Sequence, residues 1–218
     1  DTGSVDQTRA IAERHHAKIY EFSWIDDFAA ARNYAFDQAT QDFILWLDAD
    51  DILPADQLDK LIALKQTLDE RCDMVIMQYR TSFDKEGRPT FSFPRERLIR
   101  RKAHLRWKGA VHETIPFVPR RYVSDIAIEH HKLHCADPQR NLRILEKLKQ
   151  AGTMDTRQRY YYARELADHQ RYEEALSEYE LFLMDPAGWS ENKIDACLSM
   201  ARCWHALKQR QKEFSSLI

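Results

Sequence analysis

The sequence predicts an α/β domain followed by an all-helical region, and three features carry that prediction. Phe43-Ile44-Leu45-Trp46-Leu47 is a wholly apolar run that stops at Asp48, Asp50 and Asp51. Such a run reads as a strand covered on both faces, as in the middle of a mostly parallel sheet. Helical and strand patterns alternate on either side of it, the order that builds a doubly wound sheet. From Gln139 onward helical spacing takes over, broken at Gly152 and at Asp185-Pro186-Ala187-Gly188.

Taken in order, Asp1-Thr2-Gly3-Ser4 is the kind of turn that follows a strand, so a strand is expected to precede it. Ser4-Val5-Asp6-Gln7 fits a capping box that opens a helix running to about His16. Ala17 to Phe22 alternates as a short strand, and Phe28 to Ala39, rich in alanine, reads as a helix carrying Arg32 and Asn33 near its start. The run ending at Asp48 is expected to lie beside the strand that precedes Asp1. After Pro54 a helix carries Leu58, Leu61, Ile62 and Leu68, and Asp73 to Tyr79 resumes as a strand. Asp84 to Arg88 is a turn that joins it to Thr90–Phe93 in a hairpin. Arg95 to Lys108 holds seven basic residues, read either as a solvated face or as compensation for an anionic substrate.

In the last third, Leu142, Leu145 and Leu148 share one helix face. Ala163, Leu166, Tyr172 and Ala175 recur 38 positions later as Ala201, Trp204, Arg210 and Glu213, and Arg164 recurs as Arg202. The match is loose. Arg171 to Leu176, followed by Tyr179 and Pro186, nevertheless resembles the second helix of a tetratricopeptide (TPR) repeat, where small alanines stack against large neighbours.

Composition narrows the function. The 218 residues, 44% hydrophobic and 31% charged, can bury one good core and a small second one. A formal net charge of −2 gives no drive toward nucleic acid or anionic membrane. No apolar stretch reaches the roughly 20 residues of a membrane-spanning helix and no signal peptide opens the chain, so a cytoplasmic location is expected. Cys72, Cys135, Cys197 and Cys203 lack CxxC spacing, so free thiols and no zinc site are expected.

The acids at the end of the apolar run are the sharpest chemical signal. Ligands of open α/β sheets bind at the carboxyl ends of strands. Carboxylates crowded there repel unless a cation compensates them. Hard oxygen ligands suit Mg²⁺ or Mn²⁺, which also take phosphate oxygens. The bland alternative is that Asp50 or Asp51 caps the helix after Pro54.

Asp1 to Asp6, Asp27-Phe28-Ala29-Ala30-Ala31-Arg32-Asn33, Leu45 to Asp51 and Trp107-Lys108-Gly109-Ala110-Val111-His112-Glu113, in this order, closely resemble family 2 inverting glycosyltransferases of the GT-A fold. The subgroup it resembles fuses that domain to TPR-like helices, and Ile128 to His131 followed by Arg140-Asn141-Leu142 is similar to its junction. The resemblance implies a GT-A mixed sheet flanked by helices over residues 1–135, lacking its first strand, and a TPR-like domain over 136–218. It implies a hexosyltransferase-type enzyme (EC 2.4) of bacterial type. Such an enzyme moves a sugar from a nucleotide-diphosphate sugar, a UDP-sugar first of all, to an acceptor hydroxyl or thiol with inversion.

By the same resemblance Asp50 is a direct ligand of Mn²⁺ or Mg²⁺, with Asp48 reaching the ribose or the metal's water. Asp51 shapes the sugar pocket and joins Glu113 as a candidate catalytic acid. Asp1 and Arg32 face the nucleotide, although Thr2 stands where many members have a second base-reading acid. Glu113, after Gly109, is the candidate general base, since a partly desolvated carboxylate can take an acceptor proton. Alternatively, His112 and Glu113 brace the loop as a pair, or His112 reaches the metal or diphosphate. Trp107 floors the sugar or acceptor site or is a core residue, and Asn33 packs beside Arg32 or lies on the helix surface. His130 and His131 read more readily as core or surface groups than as ligands. The acceptor is a peptide, protein, glycan or lipid-linked molecule, and the helices offer a protein contact. A weak or inactive transferase serving as a peptide-binding scaffold is the alternative, and a nucleic-acid binder fits poorly.

Overall fold

The computed structural model describes residues 1–131 and 137–216, so Cys135 lies outside the described residues. The chain divides into two compact units. The first comprises Asp1–Trp24, Ala29–Lys108 and Thr114–Cys135; the second comprises Ile25–Phe28, Gly109–Glu113 and Ala136–Ile218.

The first unit is built on a mixed sheet. Helices α1 (Thr8–Arg14) and α2 (Phe28–Asp37) precede strand β1 (Phe43–Leu45), then come β2 (Asp51–Ile52), α3 (Ala55–Thr67), β3 (Met74–Phe83), β4 (Pro89–Arg100) and β5 (Arg121–His130). The strand order is β1-β4-β3-β5-β2, with β3 and β5 parallel and the other pairs antiparallel. β3 lies at the centre. Its Met74 and Ile76 join Ala29, Phe36, Trp46, Ile99 and Trp107 in one core cluster. Its Val75, Met77 and Tyr79 join Ile126, Ile128 and the inward side of α3 in another. The strand covered on both faces is therefore β3. The Phe43 run forms a strand of only three residues at the sheet edge, half-buried and antiparallel to β4, because β3 and β4 form a long hairpin that occupies the centre. That hairpin was legible in sequence, but both strands outrun the expected bounds. Asp84 closes the turn by accepting the backbone N–H groups of Glu86 and Arg88 at 3.0 and 2.8 Å.

Three other expectations are corrected. Ser4 does not cap α1; the helix starts at Thr8, whose N–H donates to Asp6 Oδ1 at 2.9 Å. Residues 17–22 form no strand. On α3, Leu58 and Ile62 are exposed, and the packed face is Gln57, Leu61 and Leu64. Gln57 is buried because its side-chain oxygen accepts the Ala127 N–H of β5 at 2.8 Å, a polar link that hydrophobic spacing does not reveal.

The second unit is helical: α4 (Arg140–Gln150), α5 (Thr156–Asp168), α6 (Tyr172–Met184), α7 (Ser190–Ala206) and α8 (Arg210–Ser215). Asp155 and Gln158 form the capping box of α5. Ala163, Leu166, Ala175, Tyr179, Phe182 and Ala196 have at most 1% exposure, the small-against-large packing of a helical repeat. The loose 38-residue recurrence is real in the backbone. Tyr172 and Arg210 each open a helix, and Gln170 and Lys208 each turn left-handed (φ 61° and 59°) in the break before it.

Candidate active site

The acidic segment is organised by Asp51. After β1 the ladder continues with Trp46 N–H to Arg97 C=O at 3.2 Å, and the chain then turns back over Asp48 to Asp51. Asp51 N–H donates to Asp48 C=O at 3.0 Å, while Asp48 N–H donates to Asp51 Oδ2 at 2.9 Å, so the Asp51 side chain clasps the turn that carries Asp48 and Asp50. Its carboxylate also accepts from Arg97 Nη1 at 2.7 Å and the Tyr79 hydroxyl at 2.8 Å, and the Asp51 and Arg97 side chains have no exposure at all. The guanidinium of Arg97 is sandwiched by Trp46 and Tyr79, 3.9 and 4.1 Å from their ring centroids. Burial pushes the Asp51 pKa up, but the Asp48 N–H, the Arg97 charge and the Tyr79 hydroxyl outweigh it, leaving Asp51 below the ordinary value. Tyr79, buried and donating to that carboxylate, is pushed up.

β2 then pairs Asp51 with His130 and Ile52 with Glu129 of β5. This brings His130 Nδ1 to 3.4 Å from Asp50 Oδ1 and 3.3 Å from Asp51 Oδ1. Asp50, Asp51 and His130 each offer a ligand atom within 4.8 Å of the others. The two carboxylates suit Mg²⁺ or Mn²⁺, and an imidazole nitrogen beside them favours the transition metal of the two. Asp48 is not part of that set. Its carboxylate meets Arg32 Nη2 at 2.8 Å.

Arg32 projects from α2, its guanidinium 4.8 and 4.9 Å from the Trp46 and Trp107 ring centroids. Trp107 is a core residue, 2% exposed and packed edge-on to Trp46. Asn33 fixes it from the same helix: its Nδ2 donates to Trp107 C=O at 3.1 Å and its Oδ1 accepts Trp107 N–H at 2.9 Å. Asp1, Arg32, Trp46 and Asp48 line one cleft of about 840 Å³ within the first unit. In it, Asp1 Oδ1 gathers the N–H groups of Gly3 and Ser4 and the Ser4 hydroxyl at 2.9–3.0 Å. Asp1 Oδ2 is buried without a hydrogen-bond partner among the described residues.

Of the basic run, Arg101, Lys102, Arg106 and Lys108 are exposed, as a solvated face would have them, and the other three are drawn inward. Arg97 is internal; Arg100 approaches Asp73 at 3.9 Å, Arg106 pairs with Asp37 at 2.5 Å, and Arg101 Nε donates to Gln41 C=O at 2.8 Å.

Glu113 and His112 belong to the helical unit. His112 has φ 53°, its ring stacks on Tyr161 of α5 at 3.9 Å, and its Nε2 lies 3.5 Å from Glu165 Oε1. Burial raises the Glu165 pKa, but hydrogen bonds from His112 and Asn141 lower it further, so the carboxyl ends below its ordinary value. Glu113 is half-buried.

No sequence motif marks Arg97, Tyr79 or Glu165, and His130 reads from sequence as a core or surface group. A signal existed for His130 in its place at the end of an alternating strand; Arg97 was hidden inside a basic run.

A mixed sheet whose edge strand ends in an acidic turn beside an arginine-lined cleft defines the class as a GT-A transferase fold. Residues 1–123 match Glycosyl transferase family 2, and the chain belongs to that family. It is 38% identical over 117 residues to a TPR repeat-containing protein of Synechococcus elongatus, a match covering 53% of this chain and 27% of that protein's length. Among solved structures it is similar to one described as the crystal structure of S. aureus TarS 1-349, with 15% identity and a TM-score of 0.44 over 100% of this chain and 79% of that one. Among the described residues no helix is long and apolar enough to cross a membrane, and Cys72, Cys197 and Cys203 are free thiols.

Proposed function

We propose that this chain transfers a sugar from a UDP-sugar to an acceptor hydroxyl or thiol with inversion, assisted by Mn²⁺ or Mg²⁺, a hexosyltransferase-type reaction of class EC 2.4. The observation that carries this reading is the cleft bordered by Asp1, Arg32 and Asp48, with Asp50 and Asp51 on the same turn and His130 of β5 beside them. Arg32, flanked by two indole faces, presents a planar cation suited to phosphate or a uracil carbonyl. The unpartnered Asp1 Oδ2 suits a donor group of the nucleoside.

Asp50 and His130 are assigned as the metal's protein ligands, and Asp51 as the residue that holds the turn carrying Asp50 in shape rather than as a reacting group. Bound there, a divalent ion would neutralise charge on the departing diphosphate. Asp48 keeps Arg32 aligned. Glu113 is the general base that takes the acceptor proton, and His112 beside it contacts the nucleotide sugar. We place transfer in residues 1–135 and contacts with a protein partner in 136–218, and assign the protein to the cytoplasm. The acceptor is a peptide, protein, glycan or lipid-linked molecule.

Thermal shift with Mn²⁺, UDP, and both together tests the reading. Stabilisation by UDP that requires Mn²⁺ and is lost in Asp50→Asn supports it. A wild-type protein indifferent to UDP at millimolar Mn²⁺ overturns it in favour of a scaffold built on the helices.

A further inference from the structure

The segment Gly109–Glu113 is flanked by Lys108 and Thr114, which pair backbone to backbone at 2.9 and 3.0 Å and pinch it into a closed loop. Inside that neck Gly109 and His112 are left-handed, with φ of 95° and 53°. A histidine there is uncommon and persists where surrounding contacts over-determine it. Those contacts come from the helical unit. Phe28 N–H donates to Ala110 C=O at 2.8 Å, and Phe28 lies under Arg140 of α4. Tyr162, Ala163 and Leu166 bury one side of α5, which leaves Tyr161 and Glu165, one turn apart, on a shared face. Tyr161 stacks on the His112 ring within 13° of parallel, and Glu165 stands at its Nε2. Asn141 Nδ2 holds the same Glu165 oxygen at 3.0 Å.

We propose that Glu165 is a positioning residue for His112, so that the loop carrying the candidate base takes its working geometry from the helical unit. The inference rests on the glycosyltransferase reading of Glu113 and His112. A carboxylate at one ring nitrogen decides which nitrogen carries the proton and leaves Nδ1 to serve the substrate. Tyr161 fixes the ring plane and Glu165 its rotation within that plane. Because Glu113 is the next residue, a turned His112 ring also disturbs the base.

The test uses the full chain and four variants: Glu165→Ala, Glu165→Gln, His112→Ala and the double variant His112→Ala/Glu165→Ala. UDP release is followed from UDP-glucose, UDP-N-acetylglucosamine and UDP-galactose, with kcat and donor KM determined separately and melting recorded for each protein. Glu165→Ala should lower kcat about tenfold with little change in donor KM, within the coupling range of contacting residues. Glu165→Gln, which keeps the oxygen, should recover part of it and covers the case in which the alanine variant folds poorly. In the His112→Ala background the Glu165 effect should vanish. Additive losses, or a fall in melting temperature with unchanged kcat, overturn the proposal while leaving the transferase reading intact. A wild-type protein that neither binds nor cleaves any of the three donors overturns both.

Discussion

Replacing Arg97 with methionine removes one partner of an ion pair whose two side chains are wholly buried. Asp51 would keep the Asp48 N–H and the Tyr79 hydroxyl but lose its only guanidinium contact among the described residues, the Arg97 Nη1 bond of 2.7 Å. Stripping one partner from a buried pair costs about 3–5 kcal/mol, since the remaining charge stays desolvated. The two indole and phenol faces that sandwich Arg97 add cation–π attraction of about 1–2 kcal/mol, part of which the thioether recovers by packing. Urea unfolding of Arg97→Met should therefore show a loss near 3–5 kcal/mol. The double variant Asp51→Asn/Arg97→Met should lose clearly less than the sum of the singles, because no buried charge is left unpaired. The pH dependence follows from the depressed Asp51 pKa. Its stabilising contribution is fully present above the unfolded value of 3.8 and fades as pH falls through the lower folded value. The variant should lack that part of the acid sensitivity. An Arg97→Met loss under about 1 kcal/mol, or strict additivity with Asp51→Asn, would refute the clasp argument.

Asp50→Asn should keep the melting temperature of the metal-free protein within a few degrees while abolishing Mn²⁺-dependent protection by UDP, measured by thermal shift; retained protection removes Asp50 from the metal site. Arg32→Lys keeps the charge near Asp48 but loses the plane that lies between Trp46 and Trp107, so calorimetric UDP affinity should fall about tenfold, a loss on the scale of one charge-assisted hydrogen bond. Glu113→Gln should retain donor binding and lower single-turnover transfer by about 10²- to 10⁴-fold; a near-normal rate at saturating donor would remove it from the mechanism.

Sequence exposed the helices better than the sheet, for a physical reason. The small-against-large packing of α6 is local, so Arg171 to Leu176 announce themselves within a few residues, whereas the capping box that forms is at Asp155 and Gln158 and not at Ser4. Strand burial depends on partners far along the chain. The Phe43 run looked central because it is apolar, yet it lies at the edge, and Met74–Tyr79 is central because β4 and β5 flank it. Leu58 and Ile62 satisfy the helical period but face outward, while Gln57 is inside because Ala127 N–H, seventy residues away, needs its oxygen.

The same division of local from distant information governs the site. The acidic turn was legible because an apolar run ending in three aspartates has few other uses, and Arg32 was legible through its motif. What the spacing could not assign was the labour among the three acids. Asp48, Asp50 and Asp51 are nearly adjacent, yet one meets Arg32, one lies open beside His130, and one is buried on Arg97 and Tyr79. That partition is set by β3, β4 and β5, whose side chains reach the turn from 28 to 79 positions away. It gives the turn a buried acid that holds its shape and a more exposed one placed to bind. A metal-binding loop needs both, since a ligand carboxylate already neutralised by a buried arginine would have little charge to offer a cation. Exchanging Asp50 and Asp51 for asparagine should therefore produce opposite phenotypes from adjacent residues. Asp50→Asn should be stable and unable to use metal, whereas Asp51→Asn should unfold at lower urea and, while folded, bind metal with a turn that no longer holds Asp48 against Arg32. Equal loss of stability in the two variants would show that both acids serve the fold alone.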